Sequence, residues 1–158
     1  MIKRLTALAA MVILSHTAAQ AADPPTQDTL VTIAISALPS GQRADGESAR
    51  RYLLRCDAAD DAVDYANSVV FCVKAAELSA QLASNETGFF RDFWLDQEAH
   101  GISLAAVGNQ TIAADKSKAQ LTSALRILAD IQSRRPTEHR RAQIGSIQHL
   151  LELFSATP

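Results

Sequence analysis

Few side chains in this sequence could do chemistry, and the two cysteines come first. Cys56 and Cys72 are the only cysteines in 158 residues. In an oxidising compartment two thiols allow one intramolecular disulfide, whose loop would stabilise by about 3 kcal/mol in the chain-entropy model. The competing chemistry is a cysteine nucleophile activated by a histidine. His100, His139 and His149 are the downstream histidines, and none stands in a recognisable catalytic context. A bonded pair is the expectation.

The acids at Asp57, Asp60, Asp61 and Asp64 could suggest a cation site. They lack the ligand order, central glycine and closing glutamate of an EF-hand loop. Carboxylates at the positive end of a helix explain them better. His139 and His149 would lie almost three turns apart on one helix, too far to share a metal. The sequence has no G-x-S-x-G, no glycine-rich phosphate loop, no H-E-x-x-H and no C-x-x-C. Neither an enzyme nor a metal or cofactor site is expected.

Two basic clusters stand out, Arg50/Arg51/Arg55 and Arg134/Arg135/Arg140/Arg141. Arg134 and Arg135 suit a helix C-terminus, whereas Arg140 and Arg141 lie near a helix start and call for carboxylate partners. Phe89, Phe90, Phe93 and Trp94 put half of the eight aromatics within six residues. On a helix they share one face, which is either core or a partner surface, since aromatics dominate interface hot spots. Asn85 and Asn109 each open an Asn-x-Thr sequon, expected on exposed loops.

These residues need elements to hold them. Residues 29–38 mix strand-like alternation at Val31, Ile33 and Ile35 with no partner strand in view, and favour a short helix ended by Pro39-Ser40-Gly41. Asp45 would cap a helix over 47–55, with a break at 57–61. A central helix follows to about Ala83, its apolar face spread over Ala66, Val69, Val73 and Ala76 beside Phe71, Ala75 and Leu78. Cys72 falls in mid-helix there, so a bond to Cys56 would clamp the preceding helix against it. A turn at 84–88 leads to a short helix over 89–99, stopped by His100-Gly101, and residues 101–115 read as a loop. Residues 116–134 are amphipathic, and Pro136 begins a last helix with a seam of Ile144, Ile147, Leu151 and Phe154. The fold expected is an all-α single bundle of about five to seven helices with one disulfide.

Composition agrees. Alanine supplies 29 residues, against 6 glycines and 5 prolines, which favours helices. Lys3 and Arg4 precede a ten-residue, largely apolar run to Leu14, and Ala19-Gln20-Ala21 fits small-x-small cleavage. This is the pattern of a secretory signal peptide over 1–21, too short for a membrane span. Residues 22–45 then form a leader with the short helix or strand, and 46–158 the helical domain. Cleavage leaves 13 basic and 17 acidic residues, a charge of −4, against nucleic acid as a partner and without membrane insertion.

The signal peptide, Leu53-Leu54-Arg55-Cys56, Phe71-Cys72 and the unit Arg135-Pro136-Thr137-Glu138-His139-Arg140 before 147–154 together carry a resemblance. The chain resembles the small periplasmic immunity proteins of type VI secretion, which neutralise peptidoglycan amidase effectors. It departs from them with Val73-Lys74, where Gly-Tyr commonly follows the second cysteine. The resemblance implies a periplasmic, helical protein that binds a cognate secreted amidase and plugs its active-site cleft with a loop between helices. The exposed candidates for that contact are Glu86, Asp96, Gln97, Glu98 and His100. The aromatic face at 89–94 is the alternative, for the toxin or for a homodimer. A small disulfide-containing periplasmic chaperone or assembly factor is the other function class that fits.

Overall fold

The computed structural model describes residues 27–156 apart from Thr111, so the expected leader at 1–21 lies outside the described residues. Those residues form six α-helices joined by short connections, with no strand among them. The helices are α1 (Gln27–Ala37), α2 (Arg43–Asp61), α3 (Tyr65–Asn85), α4 (Gly88–Asn109), α5 (Ala114–Arg134) and α6 (Glu138–Ala156), with a 3-10 turn at Ser40–Gln42 before α2.

In α1 the helical period prevails over the apparent alternation. Val31, Ala34, Ile35 and Leu38 are buried, while Ile33 is half exposed. Thr32 and Ser36 donate their hydroxyls to carbonyls one turn back, at 2.9 Å each, so that both are satisfied on the outer face of the helix. Arg43 closes the helix by donating to the carbonyls of Leu38 and Ser36.

The expected break at 57–61 is absent, because Ala49, Leu53, Cys56 and Ala59 recur at helical spacing on one buried face. Asp45 is not the cap. Gln42 holds that position without a side-chain hydrogen bond, and Asp45 lies in the first turn, where its charge suits the dipole. Asp60 and Asp61 end α2 rather than open α3. Of the four acids only Asp64 does the expected work: its carboxylate accepts from the Asn67 amide and side chain, and these bonds hold its pKa below the ordinary value.

The largest correction concerns α4, which runs through His100-Gly101 as far as Asn109. Glycine usually weakens a helix. Here it is the packing that keeps the helix whole. A Cβ on Gly101 would sit 2.7 Å from the Cys72 carbonyl oxygen, and one on Gly108 would sit 2.7 Å from Val69 Cγ2. Gly101, Ala105 and Gly108 thus form a strip without bulk, on which α3 lies close enough to bury Ser68, Cys72, Ala75, Ala76 and Ser79. The buried seam of α3 is centred on these small residues. Ala66 is exposed, and Val69 and Val73 only half-buried, contrary to the expected stripe.

The expected disulfide forms. Cys56 and Cys72 are bonded, both fully buried, with Cα atoms 4.7 Å apart, and they clamp α2 to α3. Phe93 and Trp94 belong to the core with α1, Leu82 and Ala83. A second core joins α4, α5 and α6 around Ala106, Leu121, Leu128 and Ile147. The last helix starts two residues after Pro136, with the Thr137 hydroxyl accepting from the Arg140 amide as its cap. Of the expected α6 seam, only Ile147 is buried; Ile144, Leu151 and Phe154 stay partly open.

Candidate functional site

Along α4, Asp96, Gln97, His100, Ser103, Leu104 and Val107 follow one another at steps of one and three, and so line one side of the helix. His139, Gln143, Ser146 and Leu150 do the same on α6. The α6 helix packs principally on α5, and the gap that it leaves beside α4 is a groove in two connected parts. One part, of about 300 Å³, is apolar, with Leu104, Val107, Leu121, Leu128, Ile147 and Leu150 in its walls. The other, of about 370 Å³, is bordered by Leu30, Phe93, Asp96 and Arg140. His100, His139 and Gln143 border both.

The charged groups beside the groove are paired. The Arg140 guanidinium grips both oxygens of Asp96, Nε to Oδ1 at 2.9 Å, and donates a further bond to the Arg135 carbonyl. Arg140 is almost fully buried, and the Asp96 carboxylate holds its pKa above the ordinary value. This is the carboxylate partner expected of Arg140, whereas the exposed Arg141 meets no carboxylate among the described residues. His100 Nε2 lies 2.7 Å from Asp57 Oδ1, tying α4 to α2. Beyond the groove, the buried Asp92 takes Arg134 at 2.9 Å and Arg135 at 2.8 Å, joining α4 to the end of α5. Arg50 makes a two-pronged bond to Asp28, and Arg55 lies over the Phe71 ring. Both basic clusters are therefore engaged largely within the fold.

No nucleophile joins His100 in these contacts. Ser103 and Ser146 donate their hydroxyls to carbonyls of their own helices, at 2.8 and 3.1 Å. Among the described residues no three His, Cys, Asp or Glu side chains are placed to hold a metal ion, and no helix is long and apolar enough to cross a membrane. The arrangement can enclose a ligand or stabilise the packing of α6.

The residues expected at a partner contact are distributed as follows. Glu86 lies in the α3–α4 connection. Asp96, Gln97, Glu98 and His100 stand on α4 rather than in an irregular segment, with Asp96 and His100 in the pairs above and Gln97 buried. Glu98 is half-buried, and that burial raises its carboxyl pKa against the opposing pull of Arg126. Of the four aromatics, Phe93 and Trp94 are core and Phe90 is partly buried. Only Phe89 is open, with the Arg135 guanidinium 5.7 Å from its ring centre. The sequon residues also separate: Asn85 is exposed, but Asn109 is buried at the end of α4 and donates to Gln120.

A surface feature that the sequence did not flag lies where α2 ends. Val63 N donates to Asp60 O at 2.9 Å, and Asp64 N donates to Ala59 O at 2.8 Å. This pair of bonds is a Schellman closure, whose left-handed position normally takes glycine. Val63 occupies it at φ 58°, with 62% of its surface exposed. Because Gly108 packs on Tyr65 and Val69, the α4–α5 connection lies at the same end of the bundle. Ile112 in that connection is 78% exposed, and Tyr65 is also open. A branched residue where glycine is the norm is the only signal that could have revealed this end, and it shows only once the helix boundary is known.

No family model, curated protein or solved structure matches this chain.

Proposed function

We propose that this protein is a periplasmic immunity or inhibitor protein, which binds a cognate peptidoglycan amidase effector and occludes its active site. The observation that carries the reading is Val63. It holds a strained backbone position, covers little of its own fold, and stands at one end of the bundle with Tyr65 and Ile112. Strained backbone positions of this kind cluster at functional sites, and exposed apolar residues at one end of a bundle suit insertion into a partner's cleft. The leader-like residues 1–21, the single disulfide and the sequence resemblance support the same reading.

What favours the Val63 end over the Asp96–His100 stretch is that the latter residues are engaged inside the fold. Glu86, in the α3–α4 connection, remains a candidate at the other end of the bundle. The test is reconstitution with the secreted peptidoglycan amidases of the same genome. A stable complex and loss of peptidoglycan cleavage are expected, with both weakened by combined alanine changes at Val63, Tyr65 and Ile112. Unimpaired cleavage in the presence of excess protein would overturn the proposal. Protection of unrelated clients at low pH, without a specific partner, would support the chaperone reading instead.

A further inference from the structure

The groove between α4, α5 and α6 is graded from apolar to polar along its length. Its inner part is walled by Leu104, Leu121, Leu128, Ile147 and Leu150. Where the two parts meet stand His100, His139 and Gln143. At that junction the formal charges of Asp96 and Arg140 cancel, and at the groove edge the His100 ring is hydrogen-bonded to Asp57. The groups left for a ligand are hydrogen-bonding ones: the Gln143 amide, the His139 ring and the second ring nitrogen of His100. Among the described residues the two α6 side chains, unlike His100, have no hydrogen-bond partner.

We propose that this groove binds a small neutral amphiphile, an alkyl chain carrying a hydroxyl or amide head. The chain would lie along the leucine-rich part, and the head would bond to Gln143 and His139. The size fits: about 300 Å³ has room for about ten water-sized groups, methylenes being of similar bulk. It also meets the lower limit of roughly 300 Å³ for small-molecule sites. A neutral head is favoured because a carboxylate would meet the already neutralised Arg140 beside the Asp96 oxygens. A cationic head would find both carboxylates engaged. The groove lining shares no residue with Val63, Tyr65 and Ile112, so either assignment can fail alone.

The experiment is a calorimetric and NMR titration of the purified protein with 1-decanol, and in parallel with decanoate. Saturable one-to-one binding of decanol is expected, with methyl shifts at Leu104, Leu121, Ile147 and Leu150. Decanoate should bind at least tenfold more weakly. Ser146 and Ala142 are exposed residues on the groove wall, so Ser146→Trp, and separately Ala142→Phe, should fill it from the rim without disturbing the core. Each should weaken decanol at least tenfold while the melting temperature stays unchanged. The double change His139→Ala/Gln143→Ala should weaken decanol several-fold and leave decanoate unaffected. Absence of saturable binding, decanol affinity untouched by both rim variants, or decanoate binding as tightly as decanol would overturn the proposal.

Discussion

Replacing Val63 by glycine should make the protein more stable and a poorer binder, and the two effects can be measured separately. Val63 is the only non-glycine residue with positive φ among those described. Holding a branched side chain in that region costs roughly 1–3 kcal/mol. Glycine removes this strain, but its freer unfolded chain returns about 0.5–1 kcal/mol. The lost burial is small for a side chain that is 62% exposed. A net gain of about 1 kcal/mol follows, or a rise in melting temperature of roughly 2–5 °C for a domain of this size. Val63→Ala is the control, since it loses the branching but keeps a Cβ in the left-handed region and should recover only part of the gain. Urea melts of the three proteins test the energetic half. If the alanine variant is as stable as the glycine one, the account of strain is wrong. Titration against the cognate amidase tests the other half, where Val63→Gly should lose about tenfold in affinity. A stabilised glycine variant that still binds at full strength would remove the reason for placing the contact at this end.

Three further expectations follow from the packing. Gly101→Ala places a Cβ 2.7 Å from a backbone oxygen of α3. Overpacking of roughly 1–3 kcal/mol should outweigh about 1 kcal/mol of helix propensity. Gly145→Ala on α6 meets nothing within 4 Å and should stabilise by about 0.5–1 kcal/mol, so equal signs in chemical denaturation would refute the close-approach argument. Changing both Cys56 and Cys72 to serine should cost about 3 kcal/mol, read as a lower urea midpoint, because the unfolded chain regains its loop entropy. An unchanged midpoint would mean that the bond does not constrain the chain. Burial raises the Glu98 carboxyl, so its charged form opposes folding above the folded-state pKa, and stability is recovered as pH falls through it. Glu98→Gln should therefore be more stable than wild type at neutral pH, with the difference closing on acidification. A difference that is independent of pH would assign the effect to packing instead.

The fold class, the disulfide and the Arg140 partnership were legible because each follows from a local rule. Helical spacing marks a buried face, two thiols allow one pairing, and a cation near a helix start needs an anion. The errors share one cause. Gly101 and the acids at 57–61 are breaks by residue type, while the forces that carry α4 and α2 through them act across the interior. A glycine interrupts a helix standing alone, yet against α3 it permits the approach that buries Cys72 and Ala76. The same misreading made 101–115 a loop and placed the Asn109 sequon outside. The aromatic cluster was divisible in principle, but which of its members face α1 depends on a helix whose own nature was ambiguous. The candidate site was the least legible part. Its groove arises from the way α6 leans on α5, and no spacing within α6 reveals what stands opposite.

That division has a consequence for recognition. The α2–α3–α4 unit is locked twice, by the buried disulfide and by a glycine-lined contact that leaves no slack. The connection bearing Val63 issues from this unit, so its geometry is fixed before any partner arrives, and little ordering cost remains on docking. The α6 helix is held differently. Its anchor is the Arg140–Asp96 pair at its first turn, and farther along it buries only Ile147 fully while Leu150, Leu151 and Phe154 stay partly open. A helix fixed at one end over an apolar gap can adjust its far end to the thickness of what fills the groove, which a doubly locked helix cannot do. The bundle end thus suits recognition of one fixed shape, and the groove suits ligands that vary in chain length.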